Sequence, residues 1–143
     1  MKANKLTIEE QFLTLDQAKE LQALGIDFSG ANMFVFFDGR IISKNEAEFM
    51  TIACNSSNVA LPIILPILSV AEMLEMLPKC IEVKDVLYEL YLKKSSFYVN
   101  NIAYELGYRE YLKESLSINE FTHILLRDSL FKMIKWLKQN KLI

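Results

Sequence analysis

The chain has 143 residues, 52% of them hydrophobic and 24% charged, with a formal net charge of −2. That composition excludes intrinsic disorder and suffices for one domain, 1–143, with its own core. The near-neutral balance gives no global attraction for nucleic acid or an anionic membrane, so nucleic acid would need a local basic patch.

The start, residues 1–10, is basic at first but lacks the apolar core of a signal peptide. Residues 15–24 follow as a helix. Thr14 and Gln17 have capping-box spacing, Leu15, Ala18, Leu21 and Leu24 recur every three residues, and Gly25 sits where a left-handed cap belongs. Leu13 stands where it can pack on Ala18 as a staple. Met33-Phe34-Val35-Phe36-Phe37 is an aromatic and β-branched run that favours a strand. Its unbroken apolar character implies burial on both faces or one face against a partner. Asp38-Gly39 then reads as a two-residue hairpin turn, with 40–43 as the return strand. From 44 to 58 the signal is weak, and 46–54 reads equally as a strand or as helix.

Residues 59–68 are apolar but too short for a membrane span, and Pro62, Pro66, Glu72 and Glu75 argue against one. A buried strand or an extended entry into a helix fits better. Ser69 and Glu72 have capping-box spacing again, opening a two-turn helix over 70–77 that Pro78 stops. A helix that short needs a sheet to lie on.

Residues 87–92 alternate, with Tyr88, Leu90 and Leu92 on one side and Glu89 and Tyr91 on the other. Lys93-Lys94-Ser95-Ser96 reads as a turn, β-like sequence resumes over 97–99 and 102–106, and Gly107 separates a last strand at 108–112. A helix over 101–115 competes with that reading. Ser117 and Glu120 repeat the capping-box spacing ahead of a long helix ending near Gln139. Phe121 to Lys138 would then span roughly 27 Å, with Lys132, Lys135, Lys138 and Lys141 crowding its end.

Three stretches carry a resemblance. These are Thr14-Leu15-Asp16-Gln17-Ala18 with Leu21 and Leu24-Gly25-Ile26-Asp27; Leu65-Pro66-Ile67-Leu68-Ser69 with Met73-Leu74 and Leu77-Pro78; and Trp136, Asn140 and Ile143. Together they resemble small proteins of phages and mobile elements in gut bacteria, of Bacteroides type, a group without an assigned activity. The match covers about a third of the chain, at structural positions only. It implies an accessory cytoplasmic role and carries over no catalytic residue.

The chemistry-bearing residues are sparse. Cys54 and Cys80 make neither a disulfide framework nor a zinc site, and are expected as reduced, partly buried thiols. Asn55-Ser56-Ser57 fits a glycosylation sequon without a secretion signal, so the cytoplasm is the expected location. His123, the only histidine, falls in the expected helix, where neither cysteine offers a nucleophile motif to pair with it. His123, Glu120 and Arg127 do not form a metal-ligand set. The acids at 9–10, 46 and 48, 72 and 75, and 110 and 114 read as solvated faces. Gly25, Gly30, Gly39 and Gly107 are isolated, so no glycine loop cradles phosphate.

Six tyrosines between Tyr88 and Tyr111, interleaved with Lys93, Lys94, Arg109 and Lys113, are the sharpest functional hint. Such residues on a sheet face can stack single-stranded bases or contact protein, and they also suit plain sheet packing. Neighbouring carboxylates at 82, 85, 89, 105, 110 and 114 cancel the positive charge.

The expected fold is α+β, a mainly antiparallel sheet carrying two short helices and one long C-terminal helix. Leu21, Phe36, Ile63, Leu90, Met133 and Leu137 are among the residues expected in its core. The expected function is non-enzymatic protein interaction, with a protein partner or with itself, using no cofactor, no metal and no membrane. The alternative is nucleic-acid binding through the Tyr-rich face and the Lys-rich final helix. Candidate interaction residues are Tyr88, Tyr91, Lys93, Lys94, Tyr98 and Arg109.

Overall fold

Two antiparallel sheets and four α-helices among the described residues make this an α+β protein, as the sequence led us to expect. The computed structural model describes residues 7–98, 101–112, 117–123 and 125–143, with the side chains of 95–98, 101–103 and 117 left aside. Contacts divide the chain between Ser69 and Val70 into two compact units.

The first unit opens with a single 3-10 turn at Glu9–Gln11, then helix α1, Leu15–Ala23. Its capping box forms as the sequence requires. Thr14 Oγ1 accepts from the Gln17 amide at 3.2 Å, and Gln17 Oε1 accepts from the Thr14 amide at 3.0 Å. Gly25, at φ 84°, lets the Ile26 and Gly25 amides bond back to the Leu21 and Gln22 carbonyls, closing the helix in a Schellman turn. Leu13, Ala18 and Leu21 are buried.

Strand β1, Met33–Phe36, is the centre of a three-stranded sheet, flanked by β2, Ile41–Ser43, and β3, Ile64–Ile67. Val35 and Phe36, consecutive and therefore on opposite faces, are both buried. The unbroken apolar run thus reflects cover on both sides, although Phe37 escapes it. The β1–β2 loop is one residue longer than the sequence suggested. Phe36 and Arg40 still pair through the Phe36 amide, leaving 37–39 as the loop with only Gly39 at positive φ. Pro66 sits on β3, an edge strand, where its missing N–H costs least.

Between β2 and β3 lies helix α2, Lys44–Ser56, in the stretch that read equally as strand or helix. Ser43 caps it by accepting from the Glu46 amide at 3.2 Å. Asn58, at φ 52°, ends it in a second Schellman turn, with the Val59 amide bonded to the Cys54 carbonyl. Ala47 is buried with Phe36 and Ile42, and Phe34, Met50 and Ile64 pack around them.

The second unit begins with α3, Val70–Met76, whose main neighbour is the last helix rather than a sheet, correcting the expectation. Then come β4, Cys80–Val83; β5, Val86–Tyr98; β6, Asn101–Glu110; and β7, Ser117–His123, paired in that order. Residues 93–96 are therefore not a turn but the middle of a long hairpin, with Lys93 opposite Glu105 and Lys94 opposite Tyr104. Gly107 does not break a strand either; it lies inside β6. The competing helix over 101–115 gives way to β6 over its first ten residues, while 113–115 lie outside the described residues. Lys84-Asp85 forms a two-residue hairpin turn between β4 and β5, both residues at positive φ (52° and 63°), where glycine or asparagine is normally preferred. Replacing Lys84-Asp85 by Asn-Gly should therefore raise unfolding stability by about 1 kcal/mol, read as a higher urea midpoint at unchanged slope.

Helix α4, Leu126–Gln139, is shorter and starts later than its apparent capping box at Ser117 predicts. Residues 117–123 pair with β6 instead, with Phe121 opposite Leu106 and His123 opposite Tyr104. The Ser-x-x-Glu spacing alone does not start a helix here, and the ladder to β6 takes precedence. At 14 residues, α4 spans about 21 Å rather than 27 Å. Its apolar face, Leu130, Met133, Ile134 and Leu137, is fully buried together with Leu106 and Tyr108 of β6 and Met73 of α3. No helix among the described residues is long and apolar enough to cross a membrane.

Candidate interaction surfaces

Strand alternation decides where the Tyr-rich stretch points. Leu106 and Tyr108 are buried on the face of the four-stranded sheet that carries α4. Register places Tyr88, Leu90 and Lys94 of β5 on that same face, opposite Glu110, Tyr108 and Tyr104. Tyr88 is half-buried, and Lys94 reaches the Tyr104 ring with its ammonium 5.7 Å from the centroid. Tyr91, Lys93 and Arg109 occupy the opposite face. The six candidate residues are thus split, and the Tyr98 side chain lies outside the described residues.

The face away from α4 is organised around Gly107. Tyr91, Gly107 and Glu120 form one row across β5, β6 and β7. The Tyr91 ring lies over Gly107, and its hydroxyl donates to the Glu120 carboxylate. Arg109 stands 5.6 Å from the Tyr91 ring centroid and donates from Nε to Glu89 Oε1 at 3.2 Å. Lys93 faces Glu105 in the next row. Glu89, Glu105 and Glu120 outnumber Lys93 and Arg109 here, so phosphates would meet a net negative field. One side of the Tyr91 ring is also spent on the glycine. This arrangement stabilises the sheet and offers little for a stacked base.

The C-terminal lysines do not form one stripe. Steps of three residues drift by about 60° per step around a helix, so Lys132, Lys135 and Lys138 spread over about a third of its circumference, and Lys141 lies past the helix end at φ 57°. Lys135 lies over the Phe131 ring at 5.9 Å. His123 ends β7 rather than opening a helix. Burial and the positive charge of Lys132 hold its imidazole below the usual pKa, with Asp128 opposing them. Cys54 is half-buried, Cys80 is exposed, and both are free thiols. Among the described residues, no three His, Cys, Asp or Glu side chains gather to hold a metal ion. Tyr108 is buried and its hydroxyl donates to the Pro78 carbonyl at 2.7 Å. Burial, and then the Cys80 thiol, push that phenol above its usual pKa.

The feature that composition and periodicity did not reveal lies in the first unit. Helix α2 turns Ala47, Met50, Thr51 and Cys54 inward, a spacing of i, i+3, i+4, i+7. Its opposite stripe, Asn45, Phe49, Ile52, Ala53 and Ser56, is exposed, with Phe49 at 73% and Ile52 at 65%. Val59, 59% exposed, extends the apolar character past the cap. Phe37 and Ile63 form a second exposed pair, joined by the Phe37 amide bonding to the Ile63 carbonyl at 3.1 Å. Ile63 was expected in the core and is 55% exposed, because the three-stranded sheet ends at Ile64. Two large apolar side chains side by side on the solvent face of a surface helix are uncommon.

No family model, curated protein or solved structure matches this chain.

Proposed function

We propose that this protein acts by binding protein, without catalysis, and that the outward stripe of α2 is its contact surface. The observation that carries this reading is Phe49 and Ile52 standing exposed on a helix whose inner face is already packed. Ordered, capped helices present such residues at little entropic cost, and aromatic anchors dominate binding energy at interfaces. The resemblance to proteins of phages and mobile elements supports an accessory role, and two free thiols fit the cytoplasm. Nucleic-acid binding is the weaker reading, since the Tyr-rich residues are divided between two faces and bracketed by carboxylates.

The test is quantitative capture of protein on immobilised wild type and on Phe49→Lys/Ile52→Lys. Both positions are exposed, so the variant keeps its fold, to be checked by an unchanged thermal midpoint. Specific capture should fall by about tenfold or more. Equal capture by both proteins contradicts the reading.

A further inference from the structure

We infer that the junction between β7 and α4 is a proton-sensitive joint, in which protonation of His123 releases the first turn of α4 from the sheet. Tyr104 of β6 is where the two elements meet. Its backbone stands opposite His123 in the β6–β7 ladder. Its carbonyl accepts from the hydroxyl of Ser129, a fully buried residue in the first turn of α4, at 3.3 Å. His123 therefore lies on the face of the sheet that carries α4, two residues before the N-cap Leu125.

The charges at this end of α4 oppose a further cation. A helix N-terminus is the positive end of the dipole, and leucine at the N-cap has no side-chain oxygen to accept the first amides. Arg127 and Lys132 add two cations against the helix's only carboxylate, Asp128, whose Oδ1 stands 3.5 Å from Arg127 Nε. From the sheet, His123 faces the neutral Tyr104, whose ring also takes the Lys94 ammonium of β5. Burial and Lys132 accordingly disfavour the imidazolium, and Asp128 offsets them only in part. Neutral His123 thus contributes its stability in full above about pH 6.5, the ordinary value in an unfolded chain. That contribution is lost as pH falls through the lower folded value. The loss falls on the first turn, because fraying there lets the imidazolium reach water. Leu130, Met133, Ile134 and Leu137 meanwhile keep the rest of α4 docked.

His123 is the only histidine, so proton NMR reads its ring directly. Amide protection at Asp128, Ser129 and Leu130, corrected for intrinsic exchange rates, is followed on the full chain from pH 7.5 to 5 beside the ring titration. In wild type, protection at these amides should fall in step with the ring, while Leu106 and Tyr108 of β6 keep theirs. His123→Gln should abolish the fall. Lys132→Gln, at an exposed position, should move the ring titration to higher pH and shrink the fall. An equal fall in His123→Gln would assign it to carboxylates and overturn the inference. Protection that stays flat through the ring titration, or a ring unmoved by Lys132→Gln, would overturn it as well. Should His123→Gln fail to fold, wild type and Lys132→Gln carry the test between them.

Discussion

Gly107→Ala should destabilise the second unit by about 2–3 kcal/mol, the overpacking of a site with no room to yield. A Cβ there would lie 2.6 Å from the Asn119 carbonyl oxygen and 2.7 and 2.8 Å from Oη and Cζ of Tyr91. The ring can swing away, but the β7 backbone cannot without opening the β6–β7 ladder. Tyr91→Ala in the Gly107→Ala background should therefore recover only part of the loss. Urea unfolding of the single and double variants reads both quantities. Full recovery would show that the ring alone demands the glycine.

Tyr108→Ala should cost about 3–5 kcal/mol, since it removes a fully buried aromatic from the layer between β6 and α4. Tyr108→Phe separates packing from hydrogen bonding. It keeps the ring but leaves the Pro78 carbonyl without its donor, a loss of about 1–2 kcal/mol. The pH dependence has a definite sign. The folded-state pKa of Tyr108 is raised from 10.0 by burial, so the unfolded chain loses this proton first. The stabilising contribution is complete below pH 10 and declines as pH rises beyond it. Chemical denaturation across alkaline pH should show a steeper loss for wild type than for Tyr108→Phe. Parallel curves would mean the phenol does not hold its proton through folding.

The sequence exposed best those elements whose signals are local. Thr14 and Gln17 close their capping box, Gly25 takes the left-handed cap, and Pro78 stops α3, because each depends on groups a few residues apart. What failed depended on pairing at a distance. Ser117 and Glu120 have helix-start spacing, yet the chance to extend the β5–β6 ladder makes 117–123 a strand. Asp38-Gly39 looks like the tighter turn, while Lys84-Asp85, with weaker turn residues, is held tight by the β4–β5 ladder on both sides.

Helix α2 lies where the sequence left strand and helix open. Ser43 and Glu46 have the start signal, and Asn58 is an acceptable left-handed cap. The periodicity that would have revealed the helix, Ala47, Met50, Thr51 and Cys54, is blurred by Phe49 and Ile52 on the other side. Apolar residues on both faces erase the amphipathic pattern by which a surface helix is recognised. The residues that hid the helix are the same ones that make its outer face a candidate contact. The tyrosines misled in the opposite way: a cluster in sequence became two faces in space, because strand neighbours alternate.

Site-specific photo-crosslinking reads the outer face of α2 itself, with a benzophenone side chain placed at Phe49, at Ile52 and, as a control, at exposed Asp85 in the β4–β5 turn. Discrete protein adducts should form from positions 49 and 52 and none from 85, at masses that also show whether the partner is a second copy. Adducts absent from both α2 positions, or equally abundant at 85, would contradict the proposed contact.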